Sequence, residues 1–357
     1  MGRVAARARG AECRWWLWTV ILAAFPAGAL PAEAATPLVR AAYVYDYMDV
    51  AHLDSLASTG FNRAIIRLTG DTPGFGGAPV LRAWVRHGLD RGVEPVPESL
   101  LQGKSRLRAL STSRRYSRGP GRVSSDAGCP LDSLFWRSAL LDRLEEVLQT
   151  VPDARRIAVD LEFPPGAPRH YEVGPCCCPE CLAEYTGVRN EEHGGHDAWR
   201  FSGLLASQEA RLARILGALL GEFAARHPGI EVGVFDLDLD SFVHRACARA
   251  LSRSGVPTVD YCERSYSTGG VPLRGARARL RALGLATAPL VGGLWLKHFT
   301  PGQVPAALRS IAERGEGSFI FTTYSLWRDP ETLTGSCTLM GSPADYRRVL
   351  AEGDLLP

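Results

Sequence analysis

Residues 157–163 read IAVDLEF, an apolar run broken only by Asp160 and Glu162, between a helix-like segment and a Pro/Gly-rich loop. Such a run is what a buried strand of a parallel sheet looks like. Side chains two apart on a strand share a face and lie about 6–7 Å from each other. Asp160 and Glu162 therefore share one face, and Val159, Leu161 and Phe163 share the other. Two acids face one cavity at the C-terminal end of a strand. Buried carboxylates are costly without a partner or a purpose. Capping the next helix or pairing with an arginine is the alternative use of such acids.

Outward from this strand, strand-like segments recur at residues 39–47, 61–68, 93–98, 230–239, 258–263, 289–298 and 318–325. Helix-like segments lie between them at 51–59, 79–91, 131–150, 199–227, 242–254, 273–283 and 301–314, with 344–352 after the last strand. Gly60, Gly92, Gly229, Gly255, Gly284 and Gly315 follow helix-like segments, where a left-handed residue turns the chain into the next strand. Eight strand–helix units over this length match a (β/α)8 TIM barrel better than an open doubly wound sheet. In a barrel the chemistry sits on the loops after the strands. Two of these loops are long, at residues 100–130 and 164–198.

The first 35 residues carry Arg3, Arg7, Arg9 and Arg14, then an apolar stretch over 15–25, then the small-residue pattern Ala32-Glu33-Ala34. These are the marks of a cleaved signal peptide, with an apolar core too short for a permanent span. The expectation is export to the periplasm or beyond, with residues 36–357 as one barrel domain. Loss of four arginines and two glutamates lowers the formal charge from +3 to about +1. Such a charge gives no basic footprint for nucleic acid.

The strand ends collect acids and aromatics: Asp46, Arg67, Glu98, Asp160, Glu162, Asp236, Asp238, Asp260, Glu263, Trp295, Lys297, His298, Tyr324 and Trp327. Aromatic faces stack on sugar rings and carboxylates bond hydroxyls. Paired carboxylates are also the minimal equipment of glycoside hydrolysis. Glu162, outermost on its strand, is the expected general acid, tuned or held by Asp160. Glu263 or Asp238 is the expected nucleophile or base. Asp46, Arg67, Glu98, Trp295, Lys297, His298, Tyr324 and Trp327 are expected to bind substrate, with Arg67 pointing inward to neutralise an acid. Asp240, just before Ser241 and Phe242, reads as a helix N-cap.

The strand ending DLE (160–162), followed by closely spaced cysteines running into a helix, CCCPECLAEY (176–185), resembles exported barrel proteins grouped as glycoside hydrolase-like. The segments GLWLKHFTPGQ (293–303) and GSFIFTTYSLW (317–327) are similar to the seventh and eighth strands of that group. The resemblance implies a sugar-related role. DLE also looks like the tail of the chitinase motif DxxDxDxE, but Ala158 and Arg155 occupy its earlier acid positions. In the largest clan of retaining barrel glycosidases the nucleophilic glutamate sits at the seventh strand. Lys297 and His298 stand there instead, which is why a nucleophile is sought elsewhere.

Eight cysteines follow the leader, and export makes disulfides their expected state. Cys176, Cys177, Cys178 and Cys181 form a cluster that either disulfides or a structural zinc could staple, with His170, His193 or His196 near enough in sequence to complete a zinc site. Closing a loop of about 15 residues contributes about 3 kcal/mol in the chain-entropy model. No other cofactor is implied. Three functions stay open: a glycosidase, a non-catalytic carbohydrate-binding barrel, and a metal-dependent hydrolase using His298 with the acids.

Overall fold

The computed structural model describes residues 38–45, 48–68, 77–100, 112–119, 122–161, 175–189, 201–237, 241–321, 323–328 and 335–352. Among the described residues ten strands occur: β1 (Val39–Tyr45), β2 (Arg63–Arg67), β3 (Glu94–Leu100), β4 (Arg115–Gly119), β5 (Arg122–Gly128), β6 (Arg156–Asp160), β7 (Glu231–Phe235), β8 (Thr258–Cys262), β9 (Leu290–Trp295) and β10 (Gly317–Phe321). Eight of them close a parallel barrel in the order β1-β2-β3-β6-β7-β8-β9-β10. This is the (β/α)8 barrel that the alternation of apolar runs and helices predicts. The remaining pair, β4 and β5, forms an antiparallel hairpin inside the long loop after β3.

Strand alternation sorts the core into two layers. Ala41, Tyr43, Ile65, Val96, Ala158, Phe235, Val259, Tyr261, Val291 and Phe319 fill the barrel interior. Their neighbours in sequence, among them Ala42, Val44, Ala64, Ile66, Val159, Leu161 and Cys262, face the helices. The interior plug is aromatic: Phe235 stacks on Tyr261 at 5.2 Å, and Phe319 meets both rings edge-on at 5.8 and 5.7 Å. Gly233 makes room for it, since a Cβ there would lie 2.4 Å from the Tyr261 ring.

Below the plug, at the N-terminal ends of the strands, charges close the floor. Arg63 pairs with Glu94 at 3.0 Å, Arg156 bridges Glu94 and Glu231, and Arg63 Nη1 donates to Tyr261 OH at 3.5 Å. Two prolines in a barrel strand run against the usual rule, and β3 carries Pro95 and Pro97. The Glu94 N–H points to Asn62 on the β2 side, so alternation turns the two missing N–H groups toward β6. Pairing of β3 with β6 is confined to Glu98–Leu100 accordingly.

The turns differ from expectation in two places. Gly60, Gly92, Gly229, Gly255 and Gly284 have φ between 70° and 88°, whereas Gly315 is not among the left-handed glycines. A Cβ at Gly315 would lie 2.5 Å from the Leu290 carbonyl oxygen, so close backbone approach is what requires glycine there. The helix Phe242–Ser254 is capped by Ser241, whose Oγ accepts from Val243 N at 3.3 Å; the cap is Ser241 and not Asp240. Among the described residues no helix is long and apolar enough to cross a membrane.

Candidate active site

The parallel register puts Tyr45, Arg67, Glu98 and Ala158 at one level of β1, β2, β3 and β6. Ala158 faces the interior, and Asp160, two residues on, shares that face at the C-terminal end. Glu98 is completely buried and Asp160 is 7% exposed. Their charges are offset by Arg67, whose Nη1 also donates to Tyr43 OH at 3.0 Å. Burial alone would lower the Arg67 pKa, but Tyr43, Glu98, Asp160 and Tyr45 outweigh it and hold the guanidinium above its ordinary range. Tyr43 is pushed well up by burial and by Glu98, to which its side chain is hydrogen-bonded. The phenol therefore stays protonated, accepting from Arg67 and donating to Glu98. Inward orientation of Arg67 toward the acids is as the strand alternation predicts.

The wall formed by β7 and β8 is braced by backbone bonds. Asp236, directly after β7, has φ 53°, a left-handed conformation that non-glycine residues seldom adopt. Its Oδ1 accepts from Glu263 N at 2.8 Å. Its carbonyl lies 2.8 Å from His244 Nδ1, and His244 Nε2 lies 3.4 Å from the Leu161 carbonyl. Burial lowers the His244 pKa, so the neutral ring donates through Nδ1, the shorter contact, and ties the Asp236 carbonyl to the helix Phe242–Ser254. His244 has no catalytic signature in the sequence and was not anticipated. Asp260, expected at the mouth, faces outward because Val259 and Tyr261 take the inward positions. It accepts from Leu237 N at 3.0 Å and so fixes the chain after β7.

Glu263 opens a turn after β8 instead of ending the strand, and its Oε1 accepts from Tyr266 OH at 2.8 Å. Burial first, then Glu263, pushes the Tyr266 pKa well up. Tyr266, Trp295 and Phe321 form an aromatic wall, with centroids 5.1–5.8 Å apart. A Cβ at Gly293 would lie 2.4 Å from the Tyr266 ring, so β9 admits this tyrosine only over a glycine. Tyr43 continues the wall to Phe321 at 5.0 Å, and Tyr45 meets Tyr324 at 5.9 Å. Lys297 and His298 lie on a 3-10 turn beyond β9. Lys297 Nζ sits 3.3 Å over the Trp295 ring and His298 meets that ring edge-on. Burial, then Lys297, lowers the His298 pKa. Trp327 packs on the outer core, edge-on to His52 at 4.5 Å, which leaves its ring outside the aromatic wall. Asp46, Glu162 and Asp238 lie outside the described residues.

The cysteines depart from the disulfide expectation. All eight are free thiols in the structure. Four of them, Cys129, Cys176, Cys178 and Cys181, bring their sulfurs within 4.8 Å of one another, and among the described residues no other group of His, Cys, Asp and Glu is placed to share a metal. The fourth member is Cys129, after the β4–β5 hairpin; His170, His193 and His196 lie outside the described residues.

No family model matches the chain, and no curated protein matches it. Among solved structures, an agarase, AgWH50C, is similar with a TM-score of 0.51 and 11% identity, over 85% of this chain and 47% of that one. An endo-β-N-acetylglucosaminidase from Cordyceps militaris follows at TM-score 0.45 and 12% identity, covering 88% and 90% of the two chains. D-psicose 3-epimerase from Clostridium cellulolyticum H10 reaches 0.40 at 10% identity, covering 89% and 98%. At such identities the likeness shows the fold alone: this chain is a TIM barrel whose structural neighbours include glycoside hydrolases and other barrel enzymes.

Proposed function

We propose that this chain is an exported glycoside hydrolase that cleaves an oligo- or polysaccharide by carboxylate acid/base catalysis at the barrel mouth. One observation carries the reading: Glu98 and Asp160 are held as buried inward acids at the C-terminal end, beside an aromatic wall, with Arg67 and Tyr43 to offset and bond them. Charges kept at such a cost belong to sites more often than to scaffolds. The sequence pattern of the strand assigns Glu162, two residues past Asp160, as the general acid. Its carboxyl gives the proton to the glycosidic oxygen as the bond to the anomeric carbon breaks. Asp160 holds that carboxyl in place.

Glu263 or Asp238 supplies the second carboxylate, as nucleophile or as base for water. A separation from Glu162 of about 5–5.5 Å would give retention and about 6.5–9.5 Å inversion. Asp46, Arg67, Glu98, Lys297, His298 and Tyr324 bond or orient the sugar, and Trp295 stacks on it. A binding barrel is the second reading, favoured by Lys297 standing over Trp295 at the end of β9, where the largest clan of retaining barrel glycosidases carries its nucleophilic glutamate.

The test is hydrolysis of a panel of aryl glycosides and oligosaccharides by wild type and Glu162→Gln, with folding checked by circular dichroism. A loss on the order of 10²-fold or more in the folded variant supports the acid role. Equal activity removes Glu162 from the chemistry. Sugar binding without turnover by either protein moves the chain to the binding class.

A further inference from the structure

Residues 176–181 read CCCPEC, and only three of these four cysteines converge. Cys176, Cys178 and Cys181 meet Cys129, which follows β5 some 50 residues earlier in the chain. All four are buried, none more than 2% exposed. Cys129 Sγ lies 3.4 Å from Cys181 Sγ and 3.9 Å from Cys178 Sγ. A tetrahedral zinc with bonds of about 2.3 Å sets its sulfurs about 3.8 Å apart. A disulfide requires about 2.05 Å between one pair and sets that pair apart from the rest. Four mutually close sulfurs are the metal pattern.

The backbone around the sulfurs is built for it. Leu131 N donates to Cys129 Sγ at 3.3 Å. Cys177 N donates to the Ser117 carbonyl of β4 at 2.8 Å, so the cysteine loop lies against the hairpin, and the Cys177 sulfur is left out of the cluster. Gln208, 3% exposed on the helix Phe201–Arg226, clamps Cys176 with both amide atoms: its Oε1 accepts from Cys176 N and its Nε2 donates to Cys176 O, each at 2.8 Å. Cys178 and Cys181 straddle the start of the helix Pro179–Arg189, with Leu182 N on the Cys178 carbonyl at 3.0 Å. Four thiolates around a dication leave two negative charges. The Arg114 guanidinium, its side chain 11% exposed, lies beside the cluster and donates to the Leu131 carbonyl at 2.5 Å.

We propose that Cys129, Cys176, Cys178 and Cys181 hold one zinc ion in a closed tetrathiolate site that ties the hairpin after β3 to the loop after β6. Zinc displaces the four thiol protons to solvent and no electron is transferred. With four protein ligands the ion has no open position for substrate, so its role is structural. It joins the two long loops that follow β3 and β6, the strands that carry the buried acids Glu98 and Asp160. The site stands independently of the glycosidase reading.

The experiment is metal analysis and intact mass of the full chain purified without reductant, followed by exchange of the metal for cobalt. One zinc per chain, an unoxidised mass, four thiols alkylated only after chelation, and the intense charge-transfer and visible bands of tetrahedral thiolate cobalt support the site. Cys177→Ser keeps the metal and Cys178→Ser loses it. A mass lowered by disulfides among these four cysteines overturns the proposal. So do four free thiols that retain no zinc after incubation with a stoichiometric amount. The cobalt spectrum of the wild-type chain decides the matter even where Cys178→Ser fails to fold.

Discussion

Replacing Arg67 by methionine tests the electrostatic arrangement at the mouth. Methionine keeps the aliphatic stem of the side chain and removes the charge together with the 3.0 Å bond to Tyr43 OH. Glu98 and Asp160, buried on the same face, then lose the cation that offsets them. Removing one partner of a buried ion pair costs about 3–5 kcal/mol, on the order of 10 °C in Tm for a domain of this size. Equilibrium urea unfolding at neutral pH measures it directly. Protonation of either acid removes the stranded charge, so the deficit shrinks as pH falls. Glu98→Gln removes one of the two charges while keeping a group that Tyr43 can bond. The double variant is therefore more stable than Arg67→Met alone, with a coupling of about 0.5–3 kcal/mol. An Arg67→Met variant within 1 kcal/mol of wild type, or losses that simply add in the double variant, would refute the idea that Arg67 balances these acids.

Two more perturbations follow from the packing. Burial lowers the His52 pKa to about 4, with Asp49 opposing, so the folded state prefers the neutral ring. The stability this gives is present above the unfolded pKa of about 6.5 and is lost as pH falls from there toward about 4, at no more than about 1.4 kcal/mol per pH unit. His52→Phe keeps the edge-on contact with Trp327, and urea midpoints at pH 7 and pH 5 should lie closer together than in wild type; an unchanged pH dependence removes His52 as its source. Gly293→Ala places a Cβ 2.4 Å from Tyr266 and 2.6 Å from Phe319, which overpacks the barrel by about 1–3 kcal/mol and pushes Tyr266 off Glu263. Loss of stability in urea well beyond that of Tyr266→Phe is expected, since the phenylalanine variant gives up only the 2.8 Å bond; equal losses would mean that the interior accommodates the methyl.

Legibility in the sequence followed the physics of each element. Arg67, Glu98 and Asp160 were readable because a strand needs only its parity to place a side chain, and the apolar partners Ile65, Val96 and Ala158 set that parity. Asp260 was misread because β8, TVDYC, offers apolar residues on both faces, and Val259 with Tyr261 took the inside. Glu263, Lys297, His298, Tyr324 and Trp327 fall on 3-10 turns, where direction depends on local dihedrals and no period survives. The β4–β5 hairpin, RYSRG and RVSSDAG, is short of apolar residues and so reads as loop. Cys129 was invisible as a partner of Cys176 because only the hairpin brings the two together.

The barrel interior also explains why an acid-lined mouth can be maintained here. The floor pairs of Arg63, Glu94, Arg156 and Glu231 close one end, and the rings of Phe235, Tyr261 and Phe319 fill the middle. The acids thus stand on an apolar plug, with little competing solvent from below. In a medium of low effective dielectric, the attraction between Arg67 and its two carboxylates is several times stronger than in water, and so is the cost of mismatching them. The strands that carry these groups must then be held in register to within a fraction of an ångström. The cysteine cluster, between the loops after β3 and β6, acts on those same strands, and His244 fixes the chain just after the neighbouring β7. Loosening either brace is expected to disturb the acids before it unfolds the barrel, since the plug fills the middle and the floor closes the opposite end of the strands.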